Sequence, residues 1–133
     1  MLEISVAPER FRLAPPFRIS RGVRTVAEVL TVTVTGDGAT GRGECVPYAR
    51  YGESLDSVTA QILGLPGDLD RGTLAEALPP GAARNAVDCA LWDWEAKRAG
   101  VRVWDLADLP TPAPAITATR HTTSAQPCHR TGT

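Results

Sequence analysis

The segment from Gly81 to Gly100, GAARNAVDCALWDWEAKRAG, constrains this chain more than any other. Ala83, Val87, Ala90, Leu91, Trp94 and Arg98 recur at helical spacing, which predicts an amphipathic helix with one stripe turned to a core. Alanines on that stripe let another element approach closely. Asp93 and Lys97 form an i, i+4 pair in the favourable orientation, worth about 0.2–0.5 kcal/mol. Gly100 is placed to end the helix. Val103, Trp104 and Leu106 follow as an apolar anchor.

Upstream, the periodicity changes from 3.6 to two. Leu2, Ile4 and Val6 alternate with polar or small residues and predict a strand. Pro8 is expected to interrupt it, Phe11 and Leu13 to resume it, and Pro15-Pro16 to form a turn. Phe17 and Ile19 read as the end of that edge, followed by a loop from Ser20 to about Thr25. Val26 to Thr35 is the clearest strand, with Val26, Leu30, Val32 and Val34 on one face. Gly36-Asp37-Gly38 signals a tight turn into a return strand, Thr40 to Val46, which Pro47 ends.

Tyr48 to Glu53 is a loop. Ser54, with Ser57 as the alternative cap, opens a helix to Leu65, and Pro66-Gly67 stops it. Thr73 to Leu78 predicts a short helix before Pro79-Pro80. The order is a three-stranded antiparallel meander followed by a helical segment, an α+β arrangement. The expected division is a domain over 1–109, a proline-rich connector into a further strand over 110–118, and a disordered tail over 119–133. The tail has no apolar periodicity and no large aliphatic residue to offset its ordering entropy.

Composition narrows the function classes. The 133 residues suit one domain, and the net charge of −1 implies no nucleic-acid partner. No apolar run reaches the roughly 20 residues of a membrane span, and the N-terminus lacks a secretory pattern. Three widely spaced cysteines, Cys45, Cys89 and Cys128, suggest free thiols in a reducing cytoplasm rather than a zinc site. Of 14 Lys+Arg residues one is a lysine, Lys97, and both histidines, His121 and His129, lie in the tail. Arginine stays protonated, so carboxylates are nearly the whole supply of proton acceptors near neutral pH in the patterned region.

Three stretches together resemble the N-terminal capping domain of the enolase superfamily, in its muconate-lactonizing subgroup. They are FRISRG (Phe17 to Gly22), GRGECVPYARYGES (Gly41 to Ser54) and AARNAVDCALWDWEAKRAGVRVWDL (Ala82 to Leu106). Ala83, Ala86, Val87, Asp88, Ala90, Leu91, Asp93, Ala96 and Lys97 match the family's helix signature; Trp94 and Arg102 depart from it. The second stretch is most similar to dipeptide epimerases of the Ala-Glu type. Other parents are N-acylamino-acid racemase, o-succinylbenzoate synthase and muconate cycloisomerase.

The resemblance implies a cap over a (β/α) barrel, with a magnesium ion held by three carboxylates and two lysines moving the α-proton of a dipeptide. Those lysines and metal ligands have no counterpart among these residues, so neither a catalytic residue, a metal ligand nor a cofactor is assigned to this chain. Magnesium and the dipeptide belong to the parent. The expectation is a truncated, inactive capping fragment, its tail produced by a shifted reading frame. The alternative is a non-catalytic α+β binding or assembly module using the stripe of the long helix as an interface, with self-association through exposed helix surface.

The resemblance assigns the loops Ser20 to Thr25 and Pro47 to Glu53 to substrate specificity. Arg24 then pairs with a distal carboxylate of the substrate, and Tyr48 and Tyr51 wall the pocket. The plainer readings are a solvated arginine and ordinary packing beneath the loop. Arg21 reads as structural or solvated, and Glu53 as a charge favoured near a helix N-terminus. Cys45 and Cys89 read as buried and inert, Asp88 and Asp93 as structural. His121, Cys128 and His129 are too few and too loosely held to make a metal site.

Overall fold

The computed structural model describes residues 1–20 and 22–110. The expected connector beyond Pro110 and the tail, with Arg21, His121, Cys128 and His129, lie outside the described residues. Three antiparallel strands, β1 (Glu3–Ile19), β2 (Gly22–Gly36) and β3 (Ala39–Cys45), form a sheet in the order β1-β2-β3. A 3-10 turn (Ala49–Tyr51) leads to α1 (Leu55–Leu63), α2 (Arg71–Ala77), α3 (Ala82–Ala99) and α4 (Val103–Leu106).

The first hairpin is longer than the sequence predicts. Pro8 does not interrupt β1 but pairs opposite Leu30. β1 is an edge strand, where a residue with no N–H to donate is tolerated. Pro15-Pro16 is not a turn; it lies where the register shifts between Arg12 and Phe17. Pairing then resumes, Phe17 against Arg24 and Ile19 against Gly22, so the expected loop to Thr25 is strand from Gly22 onward. The result is a two-stranded ribbon extending past the core. The second hairpin is as expected: Gly36 pairs with Ala39, and Asp37 and Gly38 take φ of 48° and 75°. Two positive-φ residues match the right-handed strand twist.

One sheet face is covered by helices. Leu30, Val32 and Val34 of β2 are fully buried and pack with Val58 and Ile62 of α1, Leu74 of α2, and Ala83, Ala86, Val87, Ala90, Leu91 and Trp94 of α3. α3 lies directly on β3. A Cβ at Gly41 would collide with the Ala90 carbonyl and the Trp94 amide, and one at Gly43 with the Ala86 carbonyl. The small-residue stripe of α3 and the glycines of β3 are therefore one feature, a close backbone contact. It leaves that stripe inside the fold, so the interface proposed for a separate assembly module is already occupied. Arg98 ends the stripe outside the core, its guanidinium 4.3 Å from the Trp94 ring centre and 3.3 Å from Asp37 Oδ2.

Local signals locate the helices. Ser54 and Ser57 cap α1 reciprocally, so Ser57 is the partner of the cap rather than an alternative to it. α2 begins earlier than Thr73 because Asp70 accepts the Thr73 amide at 2.7 Å. Gly100, at φ 68°, terminates α3. Arg71 ties α2 to α3, stacking 3.6 Å from the Trp92 ring centre and bonding both Glu95 oxygens at 3.1 Å. Cys45 is buried, but Cys89 is exposed, in an open cleft it shares with Thr31 of β2 and Arg42 and Glu44 of β3. Helical periodicity turns that position outward, against the expectation of burial.

Candidate functional site

β3 ends at Cys45, and Pro47 prevents the ladder from continuing. The chain then makes a single 3-10 turn. Tyr51 N–H donates to the Tyr48 carbonyl at 2.9 Å, and Gly52 N–H to the Ala49 carbonyl at 3.0 Å. Gly52 takes φ 75°, which a residue with a side chain rarely adopts. The turn places the Tyr48 and Tyr51 rings 5.6 Å apart, tilted by 57°.

Glu53 pins this loop. Its Oε2 accepts the Tyr48 N–H at 3.0 Å, and its Oε1 accepts the Ala82 N–H at 2.7 Å, in the first turn of α3. The hydrogen bond from Ala82, then that from Tyr48, holds its carboxyl below the usual glutamate range, against the opposing effect of burial. Glu53 thus sits at a helix N-terminus, as the sequence reading expects, but the helix it caps is α3. A signal was available: Gly81 has no side chain with which to cap α3, so that helix needed an acceptor from elsewhere.

Across from the loop, the β1–β2 ribbon presents Arg24, whose guanidinium carbon lies 5.8 Å from the Tyr48 ring centre. Between them is a cleft of about 510 Å³ whose lining includes Arg24, Val26, Glu28, Pro47, Glu53 and Leu55. Its charges are mixed. Glu28, which sequence reasoning missed, is also bonded to Arg10 at 3.2 Å on the exposed ribbon. Tyr48 and Tyr51 do not line this cleft; Tyr48 meets it through Arg24, and Tyr51 is 76% exposed. The structure therefore brings Arg24 and Tyr48 together and leaves Tyr51 at the surface.

Proton-transfer chemistry has little to draw on here. Lys97 Nζ is bonded to Asp93 Oδ2 at 2.7 Å and to the Thr40 carbonyl at 3.1 Å, far along the sheet from Arg24. Asp93 also accepts the Arg42 amide at 2.8 Å. Burial pushes the Asp93 pKa up, but the Lys97 and Arg42 bonds and charges outweigh it and leave it lowered. Asp93 is structural, as expected. The Cys45 thiol is pushed up to about 11 by burial and by the charges of Glu53 and Glu44. Among the described residues no group of three or more His, Cys, Asp or Glu could hold a metal ion. They do not fit a magnesium site.

The chain matches the model of the mandelate racemase / muconate lactonizing enzyme N-terminal domain over residues 1–107. It is 45% identical over 122 residues to the L-Ala-D/L-Glu epimerase of Escherichia coli (strain K12), covering 89% of this chain and 38% of that protein. Among solved structures it is similar to an Agrobacterium tumefaciens enolase family member with homology to dipeptide epimerases, which was crystallised with sodium and L-Ala-L-Glu and has an ordered loop. The TM-score is 0.79 at 49% identity, covering 85% of this chain and 36% of that one. A dipeptide epimerase from Methylococcus capsulatus, complexed with Mg and L-Arg-D-Lys, matches at TM-score 0.67 and 33% identity, over 78% of this chain and 33% of its own. The chain spans between a third and two-fifths of the length of these relatives.

Proposed function

The chain belongs to the mandelate racemase / muconate lactonizing enzyme N-terminal domain family, and from that premise we propose that it is the capping region of a dipeptide epimerase acting on dipeptides with an acidic second residue. The observation that carries this reading is the meeting of Arg24 and the Tyr48 loop across one cleft. A guanidinium beside an aromatic ring suits a carboxylate on an extended substrate, because its planar donors match carboxylate geometry. The relatives named for L-Ala-Glu chemistry support the choice of dipeptide.

In this proposal the cap recognises and a barrel reacts. The parent inverts the α-carbon of the second residue with the help of magnesium. The 133 residues alone are expected to be inactive, because their single lysine is engaged in the Asp93 pair. Val101, Val103 and Leu109, exposed around α4, are the apolar surface proposed to meet a partner.

The test is a chimera in which residues 1–107 replace the equivalent region of the E. coli epimerase. Exchange of the substrate α-proton for deuterium reads activity. The proposal expects an active chimera that prefers L-Ala-L-Glu over L-Ala-L-Leu, and it expects Arg24→Met to reduce kcat/KM for the acidic dipeptide by about 10–100-fold, as lost charge-assisted contacts do. A folded chimera with no exchange, or one indifferent to Arg24, would overturn it.

A further inference from the structure

We propose that Glu53 is the positioning residue of this site: its carboxylate clasps the Pro47–Gly52 loop to the N-terminus of α3 and so sets where the Tyr48–Tyr51 pair stands. That the Tyr48 loop meets a substrate rests on the proposed function; the clasp itself does not.

α3 starts at a residue with no capping side chain. The first amides of a helix need acceptors, and its dipole favours a negative charge there. Glu53 supplies both from 29 positions upstream, through Oε1 to the Ala82 amide. Gly81 keeps that approach open, since a Cβ there would stand 3.0 Å from the same oxygen. The second oxygen is committed to the Tyr48 amide. Tyr48 is the first residue of a turn closed on itself by the Tyr51 and Gly52 amides. Holding Tyr48 therefore holds the turn as a unit. One carboxylate serves two donors on separate segments of the chain, so moving the loop also uncaps α3.

Charged and titratable groups stand on each element around Glu53. Arg24 and Glu28 of β2 line its cleft. Cys45 of β3 is near enough for the Glu53 charge to raise its pKa. Asp56 lies in the first turn of α1, and α3 contributes the Ala82 amide, with Arg84 in its first turn. The lowered Glu53 pKa agrees with the clasp.

The experiment is an NMR pH titration of the 133-residue chain, over the range in which circular dichroism shows the helices intact. The Tyr48 and Ala82 amide protons are expected to shift together, with one midpoint below the ordinary glutamate range. Contacts between the two tyrosine rings should fade across the same transition. Glu53→Gln should abolish both effects, while the Thr73 amide, which answers to Asp70, still titrates. Separate midpoints for the two amides, or ring contacts in a folded Glu53→Gln protein as strong as those of the wild type at neutral pH, would overturn the proposal. Should that variant not fold, the wild-type titration decides by itself. An intact clasp alongside an inactive chimera would sink the epimerase reading and leave the clasp standing.

Discussion

At the residue scale, single atoms carry much of the specificity of this fold. The glycines of β3 are an example. Gly43→Ala places a methyl group against the Ala86 carbonyl, which belongs to a helix backbone and cannot swing away. Overpacking of this kind costs about 2 kcal/mol or more, so urea unfolding should show a lowered midpoint with an unchanged slope. Thiol chemistry separates the two described cysteines. Cys45 is buried, with a pKa near 11, whereas Cys89 is exposed. In a Cys128→Ser background at pH 8, Ellman's reagent should label one thiol quickly and the second only on unfolding. Two fast thiols would contradict the burial of Cys45. Helical spacing already assigned Trp94 to the core, but spacing could not foresee that its Nε1–H donates to the Gly36 carbonyl at 2.9 Å. Trp94→Phe should cost about 1 kcal/mol through that bond, with some further loss from the Arg98 stack.

At the element scale, the helices were legible because their signals are local. Ser54 with Ser57, the alanine stripe and Gly100 each act within one or two turns. Ser54→Ala removes the acceptor of the Ser57 amide and should destabilise the chain by about 1 kcal/mol, read as a drop in thermal midpoint. The strands were legible where alternation was strict and misread where proline intervened. Whether Pro8 ends a strand depends on whether that strand is an edge, and strand order is not a local property. The stretch from Ser20 to Thr25 looked like a loop because its described residues, Ser20 and Gly22 to Thr25, are exposed where the β1–β2 ribbon runs past the core. Two-stranded pairing beyond the core leaves no buried face, and so no apolar period to read.

At the scale of the whole molecule, scattered charges act together on stability. Glu53, Asp70 and Asp93 all have lowered pKa values, so the native state binds fewer protons than the unfolded chain as pH falls below the ordinary carboxylate values of about 4. Their contribution is complete at neutral pH and is lost as pH drops through the folded values. Cys45 works in the opposite sense: its raised pKa means that stability declines from about pH 9 toward 11. Thermal midpoints from pH 2.5 to 11 should form a plateau with two falling limbs. Glu53→Gln should flatten part of the acid limb, and Cys45→Ala the alkaline one; unchanged limbs in both variants would contradict these assignments. The sequence by itself determined the α+β class, the meander, the core stripe of α3 and the family resemblance, because periodicity, caps and turn residues act over a few positions. Only the tertiary structure decided that Pro8 lies within an edge strand, that Arg24 meets Tyr48 while Tyr51 stays at the surface, and that Glu53 caps a helix 29 residues away. Those outcomes depend on which segments pack together, and hydrogen bonds across such distances leave no spacing in the chain to read.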